Sequence, residues 1–182
     1  MEPSGQLTSP ALLALLQDGK LAGSWKLDAA RSKVQLTSKS MWGLAPVKGI
    51  FRQVAGNGTV SATGDATGTI TVAAQSVDTN NEKRDNHLRS ADFFDVAEHP
   101  DITVTVDSIR PSNGGVTVAG SLTVRDQTRP VAMDAKVSSA DGDVWLDGEV
   151  HVNRADFGLT WNQMGMASMH TTIAFHAMFT RQ

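Results

Sequence analysis

No cysteine occurs among the 182 residues, which removes disulfides, thiolate metal sites and cysteine nucleophiles together. Nor does one sign of charge dominate: 16 Lys+Arg against 19 Asp+Glu leave a formal net charge of −3. Both signs are scattered along the chain, so the basic stripe expected of a nucleic-acid binder is missing. Long low-complexity runs are also absent, and 40% hydrophobic residues exceed what a chain disordered by composition carries. No apolar run approaches the ~20 residues of a membrane-spanning helix. The run Ala11-Leu12-Leu13-Ala14-Leu15-Leu16 lacks the Lys or Arg that a secretory leader places ahead of its apolar core; Met1-Glu2-Pro3-Ser4-Gly5 brings only an acid. A reducing, cytoplasmic setting is the expectation.

What is present fits one domain, since single β-barrels reach this length and bury roughly 70% of their unfolded surface. Residues 1–23 form an N-terminal extension and residues 24–182 the barrel domain. The extension reads as a short helix with Ser9 as N-cap, Pro10 at the first helical position and Gly19 past its end. Leu12, Leu13, Leu15 and Leu16 give it a broad apolar face. It has no basic cluster, so it reads as a packing helix rather than a membrane-surface anchor.

From Trp25 onward the dominant period is two. Val34-Gln35-Leu36, Ile70-Thr71-Val72, Ile102-Thr103-Val104-Thr105-Val106 and Val116-Thr117-Val118 alternate apolar with polar. Leu122-Thr123-Val124, Val131-Ala132-Met133 and Ile173-Ala174-Phe175 continue the pattern. Valine and threonine suit a pleated, half-buried surface, and the alternation argues antiparallel pairing. Turn signals stand at Gly56-Asn57-Gly58, Gly64-Asp65, Pro111 to Gly115, Asp126-Gln127-Thr128 and Asp141-Gly142-Asp143. Serial strands joined by tight turns predict an all-β meander of about eight strands that closes into a barrel. Residues 81–89, strongly charged and without period two, predict a short helical crossover capped by Asn80 or Asn81 and closed by Pro100. About four strands are expected before it and four after.

Several segments, in order, carry a further signal. They are Trp25-Lys26-Leu27-Asp28 with Ser32, then Val47-Lys48-Gly49-Ile50-Phe51 with Gly56. Ser76-Val77-Asp78-Thr79-Asn80 follows, with Arg84-Asp85-Asn86-His87-Leu88-Arg89-Ser90 and Asp92-Phe93-Phe94-Asp95 after it. Gly120-Ser121-Leu122-Thr123-Val124, Thr128-Arg129-Pro130-Val131 and Asn153-Arg154-Ala155-Asp156-Phe157-Gly158-Leu159 complete the set. Together they resemble the YceI family of polyisoprenoid-binding proteins, small barrels of lipocalin-like fold. Many members carry a histidine where this chain has Ser40. The resemblance implies an isoprenoid-like chain held in the barrel, no other cofactor, and a homodimer.

Strand parity places the interior independently of that resemblance. The inward set is Val34, Leu36, Ile70, Val72, Ile102, Val104, Val106, Leu122, Val131, Met133, Leu146, Val150, Ile173 and Phe175, none of them ionisable. Ser38 and Ser40 continue one inward row toward a barrel end. An apolar tunnel with hydroxyls at its mouth suits an amphipathic molecule with a long tail. Parity alone leaves a solid core equally open; the resemblance favours a hollow one. Phe94 and Phe157 from the matching segments, and Trp161 and Met164 from the methionine-rich loop, complete the candidate ligand-binding set. That loop reads either as a lid over the mouth or as plain packing.

The densest polar group is Arg84, Asp85, His87 and Arg89. It reads as an ion-paired cap on one barrel end, with head-group binding as the alternative. Catalysis would need a nucleophile beside His87, and no serine of elbow spacing is present. His87, His99, His151, His170 and His176 form no HxH or HExxH pattern, so no metal site is expected. The leading expectation is a lipid carrier without enzymatic activity. A filled barrel serving as a protein-interaction module is the alternative.

Overall fold

The structure, a computed structural model, describes residues 7–182. Eleven strands form one sheet: β1 (Gly23–Leu27), β2 (Lys33–Ser40), β3 (Ala45–Phe51), β4 (Val54–Val60), β5 (Ala66–Ala73), β6 (Val77–Asp78), β7 (Asp101–Ser112), β8 (Gly115–Val124), β9 (Gln127–Ala140), β10 (Asp143–Asn153) and β11 (His170–Arg181). Two α-helices accompany them, α1 (Ser9–Gln17) before β1 and α2 (Glu82–Arg89) between β6 and β7. All strand pairs are antiparallel.

The order β1-β4-β5-β7-β8-β9-β10-β11 closes on itself, because β11 returns to β1 through Trp25↔Arg181, Lys26↔Thr180 and Leu27↔Phe179. The result is an eight-stranded, lipocalin-like barrel with no open edge around this ring. Three staves are broken by a bend. After β1 the chain makes a short 3-10 turn, Ala29–Arg31, whose first N–H groups are taken by the Asp28 carboxylate. It then continues as β2, which pairs with the other half of β11. β3 and β4, and β5 and β6, are split in the same way. Three staves therefore precede the helical crossover and five follow it, instead of four and four; the bends made single staves look like separate strands.

One turn and one helix cap need correction. Gly56-Asn57-Gly58 lies inside β4, paired with Ile70, Thr69 and Gly68. The glycines are there because the strands approach closely: a Cβ on Gly58 would stand 3.0 Å from the Thr67 carbonyl oxygen, and one on Gly68 2.7 Å from that of Asn57. The N-cap of α1 is Thr8, one residue earlier than expected, and Thr8 makes no side-chain cap bond. Asn81 does cap α2, its Oδ1 accepting from the Arg84 N–H at 3.0 Å.

Side chains pack into two buried layers, one toward each barrel end. Toward the β7–β8 and β9–β10 turns, Leu12 of α1 packs with Val116, Val118, Ala135 and Val137, flanked by Leu16 and Leu21. The segment ahead of α1 is tied on by the Leu7 N–H, which donates to the Val137 carbonyl at 2.8 Å. Of the expected apolar face of α1, Leu12 is buried and Leu15 and Leu16 half-buried, whereas Leu13 is exposed. Toward the other end, Leu27, Leu36, Phe51, Val72, Ile102, Leu122, Phe157 and Leu159 pack beneath α2 and the segment after it.

β7 carries a bulge at Asp107, between the pairs Val106↔Gly120 and Ser108↔Ala119. A Cβ on Gly120 would collide with the Thr105 carbonyl oxygen, which is backbone and cannot step aside. Gly120→Ala is expected to destabilise the protein by about 2 kcal/mol or more, within the range of overpacked sites. Urea denaturation of variant and wild type would show it as a lower midpoint.

Candidate functional site

Between the two packed layers lies a cavity of about 720 Å³, within the range of small-molecule sites. Val34, Ile70, Val104, Val131, Ile173 and Phe175 face it and are only half-buried although they point into the barrel. Their exposure is to the cavity, so the barrel is hollow. Of the candidate ligand-binding residues named from sequence, all border the cavity except Met164. Met164 is 78% exposed and lies in the 3-10 turn Gln163–Gly165 with φ +55°, so it is not part of the lining. Sequence parity missed several residues that border it, among them Trp25, Phe51, Phe93, Leu88 and Phe179. Leu88 and Phe93 sit on the crossover, where alternation gives no guide, whereas Phe179 continues the Ile173 and Phe175 row along unbroken β11 and alternation extended to it would have found it.

The two ends differ chemically. At the α1 end the boundary is leucine: Leu12, Leu16 and Leu21. At the opposite end it includes Ser38, Ser40, His87, Trp161 and Arg154. Three local elements build that polar end. The β2–β3 connection is held to the long β10–β11 loop by the Trp42 N–H to the Met166 carbonyl at 3.2 Å and the Ser168 N–H to the Lys39 carbonyl at 2.9 Å. Met41, Trp42 and Leu44 on this connection are exposed, as is Met164 on the loop.

The second element is α2. Asp85 is buried, and its Oδ1 accepts from the Thr79 backbone N–H at 3.0 Å and the Thr79 hydroxyl at 2.5 Å. Arg84 donates to Thr79 Oγ1 at 2.8 Å and to the Thr79 carbonyl at 2.9 Å. Arg89 donates to the carbonyls of Gln75 (2.8 Å) and Val77 (2.9 Å), on the edge of β6 that no strand covers. Asp78 of the same strand is held below the usual carboxylate range by the Asn80 N–H and then by Arg52. Three of the four polar residues of the crossover are therefore a clasp on backbone. The fourth, His87, shares a hydrogen bond with Asp92 at 2.8 Å and packs edge-on against Trp161 and Phe93, centroids 4.3 and 5.1 Å away.

The third element is the turn Arg154–Phe157 after β10. Asn153 caps it through the Ala155 N–H (3.0 Å), Phe157 is buried, and Gly158 ends it at φ +76°. The Asp-Phe-Gly triplet is thus a helical stop with an anchored ring. Arg154 is buried too, and it corrects the expectation of an interior free of ionisable groups. The charge enters from the loop, where strand parity does not reach. His151 and His176 lie on the outer face, bonded to Thr172 and Asp147 respectively. Among the described residues no group of three His, Asp or Glu stands close enough to hold a metal ion, and no helix is long and apolar enough to cross a membrane.

A model of the YceI-like domain matches residues 25–179. The chain belongs to the YceI family. Protein YceI of Salmonella arizonae is 34% identical over 110 residues, 57% of each chain. A UPF0312 protein of Pectobacterium atrosepticum is 33% identical over 119 residues, 62% of each. The chain thus spans less than two thirds of the length of these curated relatives. Among solved structures, BcnA of Burkholderia cenocepacia superposes with a TM-score of 0.77 at 22% identity, covering 84% of this chain and 98% of its own. A polyisoprenoid-binding domain from Saccharophagus degradans superposes with a TM-score of 0.69 at 17% identity, covering 87% and 98%. At these identities the likeness shows a shared fold.

Asp85→Ala would strand two buried donors on Thr79, and a loss of about 2–3 kcal/mol is expected. Asp85→Asn, which keeps an acceptor, should cost less. Chemical denaturation of both variants checks the order; equal losses would contradict the clasp.

Proposed function

We propose that the protein binds a long apolar lipid of isoprenoid type in the barrel, and that it carries or sequesters this lipid without transforming it. The observation that carries this reading is the row of inward apolar side chains left half-exposed around a cavity of about 720 Å³. Each methylene moved from water into such a lining is worth about 0.8 kcal/mol. A tail lying along the barrel axis meets the β-branched side chains of opposite staves for its whole length. The difference between the ends gives the lipid a direction, with its tail toward Leu12, Leu16 and Leu21 and its polar end toward Ser38 and Ser40.

Family membership supports the same reading, as does the shared fold with a neighbour described as polyisoprenoid-binding. A binding role also accounts for the polar crossover. Arg84, Asp85 and Arg89 are committed to holding β6 and Thr79 in place, and His87 is bonded to Asp92 within an aromatic contact.

The test is uptake and extraction. Native mass spectrometry of the purified protein should show a lipid-mass adduct that organic extraction removes, and the emptied protein should take up geranylgeraniol. Val104 and Ile173 face the cavity from β7 and β11, which stand four places apart in the ring of eight. Val104→Trp combined with Ile173→Trp should cut uptake at least about tenfold while the melting temperature stays within a few degrees. Failure of the wild type to bind geranylgeraniol, with extracts free of lipid, would overturn the proposal.

A further inference from the structure

We propose that Arg154 receives the polar head of the bound lipid, and that this head carries an anionic oxygen group, a phosphate or a carboxylate. The inference deepens the lipid-binding reading and rests on it. Arg154 is 8% exposed and borders the cavity at its polar end. Its Nε donates to the Ser168 carbonyl at 2.9 Å, and its Nη1 to the carbonyls of Leu159 (2.6 Å) and Trp161 (2.8 Å). All three acceptors are neutral. Nη2 is buried and has no hydrogen-bond partner. The guanidinium carbon lies over the Phe93 ring, 5.4 Å from its centroid.

The charge itself is uncompensated. No carboxylate of the described residues forms an ion pair with Arg154, although four pairs between Lys or Arg and Asp form elsewhere. Burial pushes its pKa down, with no opposing charge to raise it; a guanidinium nonetheless keeps its proton. A buried cation without a counter-ion is costly, and an unmade hydrogen bond to a charged group adds to that cost. Holding the 159–168 loop explains three N–H groups and a turn of chain. It explains neither the spare edge of the guanidinium nor its charge, since a neutral donor would hold carbonyls without the desolvation penalty. An anionic head placed against Nη2 supplies both the missing acceptor and the missing charge, and a planar fork is suited to oxygen anions. The other arginines of this end are occupied, Arg84 on Thr79 and Arg89 on Gln75 and Val77.

The test compares two probes with one tail, geranylgeranyl phosphate and geranylgeraniol, titrated into the intact protein by calorimetry. The phosphate should bind at least about tenfold tighter, and the preference should persist in about 1 M salt, where exposed charges such as Lys39 and Lys83 are screened within roughly 3 Å. Arg154→Met should erase the preference while geranylgeraniol still binds, and Arg154→Lys should keep part of it. Equal affinity for the two probes, a preference that vanishes in salt, or one that survives Arg154→Met in a folded protein would each overturn the inference. Should the Arg154 variants fail to fold, the wild-type ratio in high salt decides. If neither probe binds, the lipid-binding reading itself falls.

Discussion

Closing eight antiparallel strands into a ring fixes the width of the interior before any side chain is chosen, and the rest of this structure follows from how that width is filled. Directly paired residues point to the same face. Pairing therefore places Gly49 beside Leu36, Gly56 beside Ile70, Gly58 beside Gly68, Gly120 beside Val106 and Gly148 beside Phe175, all on the inner face. The ring of Phe175 lies over Gly148, where a Cβ would come within 2.8 Å of it. Most of the remaining inward positions in the middle of the barrel are valine or isoleucine. Together with the inward glycines, these side chains leave the middle of this ring unfilled. The ends can be packed because they borrow bulk from outside the staves, Leu12 from α1 and Phe93, Phe94 and Phe157 from the crossover and loop. The middle has no such source, so it stays open.

The same division separates stability from binding. The two packed layers hold the ring together and close the cavity at its ends, and the β11–β1 closure and the Asp85–Thr79 clasp add to them away from the middle of the wall. The wall can therefore remain half-exposed. The clasp has a second consequence: by tying Arg84 and Asp85 to Thr79 and Arg89 to Gln75 and Val77, it holds α2 against the barrel, which brings His87 of the helix and Phe93 after it to the polar end.

Much of the ring was legible because period two survives wherever a stave is straight. Val34, Ile70, Val104 and Ile173 were placed inward by parity alone, and they line the cavity. Legibility fails where the physics is not periodic. Gly56-Asn57-Gly58 mimics a turn, since glycine marks both a chain reversal and a close strand approach, and only pairing tells them apart. The bends at 28–32, 52–53 and 74–76 divide staves that remain continuous in space, which moved the crossover from the middle of the meander to a point after its third stave. Met164 departs from the expected lining for a different reason: its loop turns it outward at positive φ, which the apolar composition of the loop does not signal. Whether the barrel is hollow could not be read from alternation, because an inward valine looks the same in a solid core and in a cavity wall.

Arg154 shows why a buried charge borders the cavity where it does. On a stave, an inward arginine would have apolar side chains from the neighbouring strands on both sides, and their backbone carbonyls would be spent on the ladder. At the end of β10 the chain has left the ladder, and the loop's own carbonyls at Leu159, Trp161 and Ser168 turn toward the guanidinium. A loop thus offers free acceptors next to the cavity where the ladder does not. The Asn153 cap before Arg154 and the αL glycine at position 158 after it fix the turn tightly enough to aim that side chain. An apolar barrel wall and a polar cavity end are reconciled by building the wall from strands and the polar end from the turn between two of them.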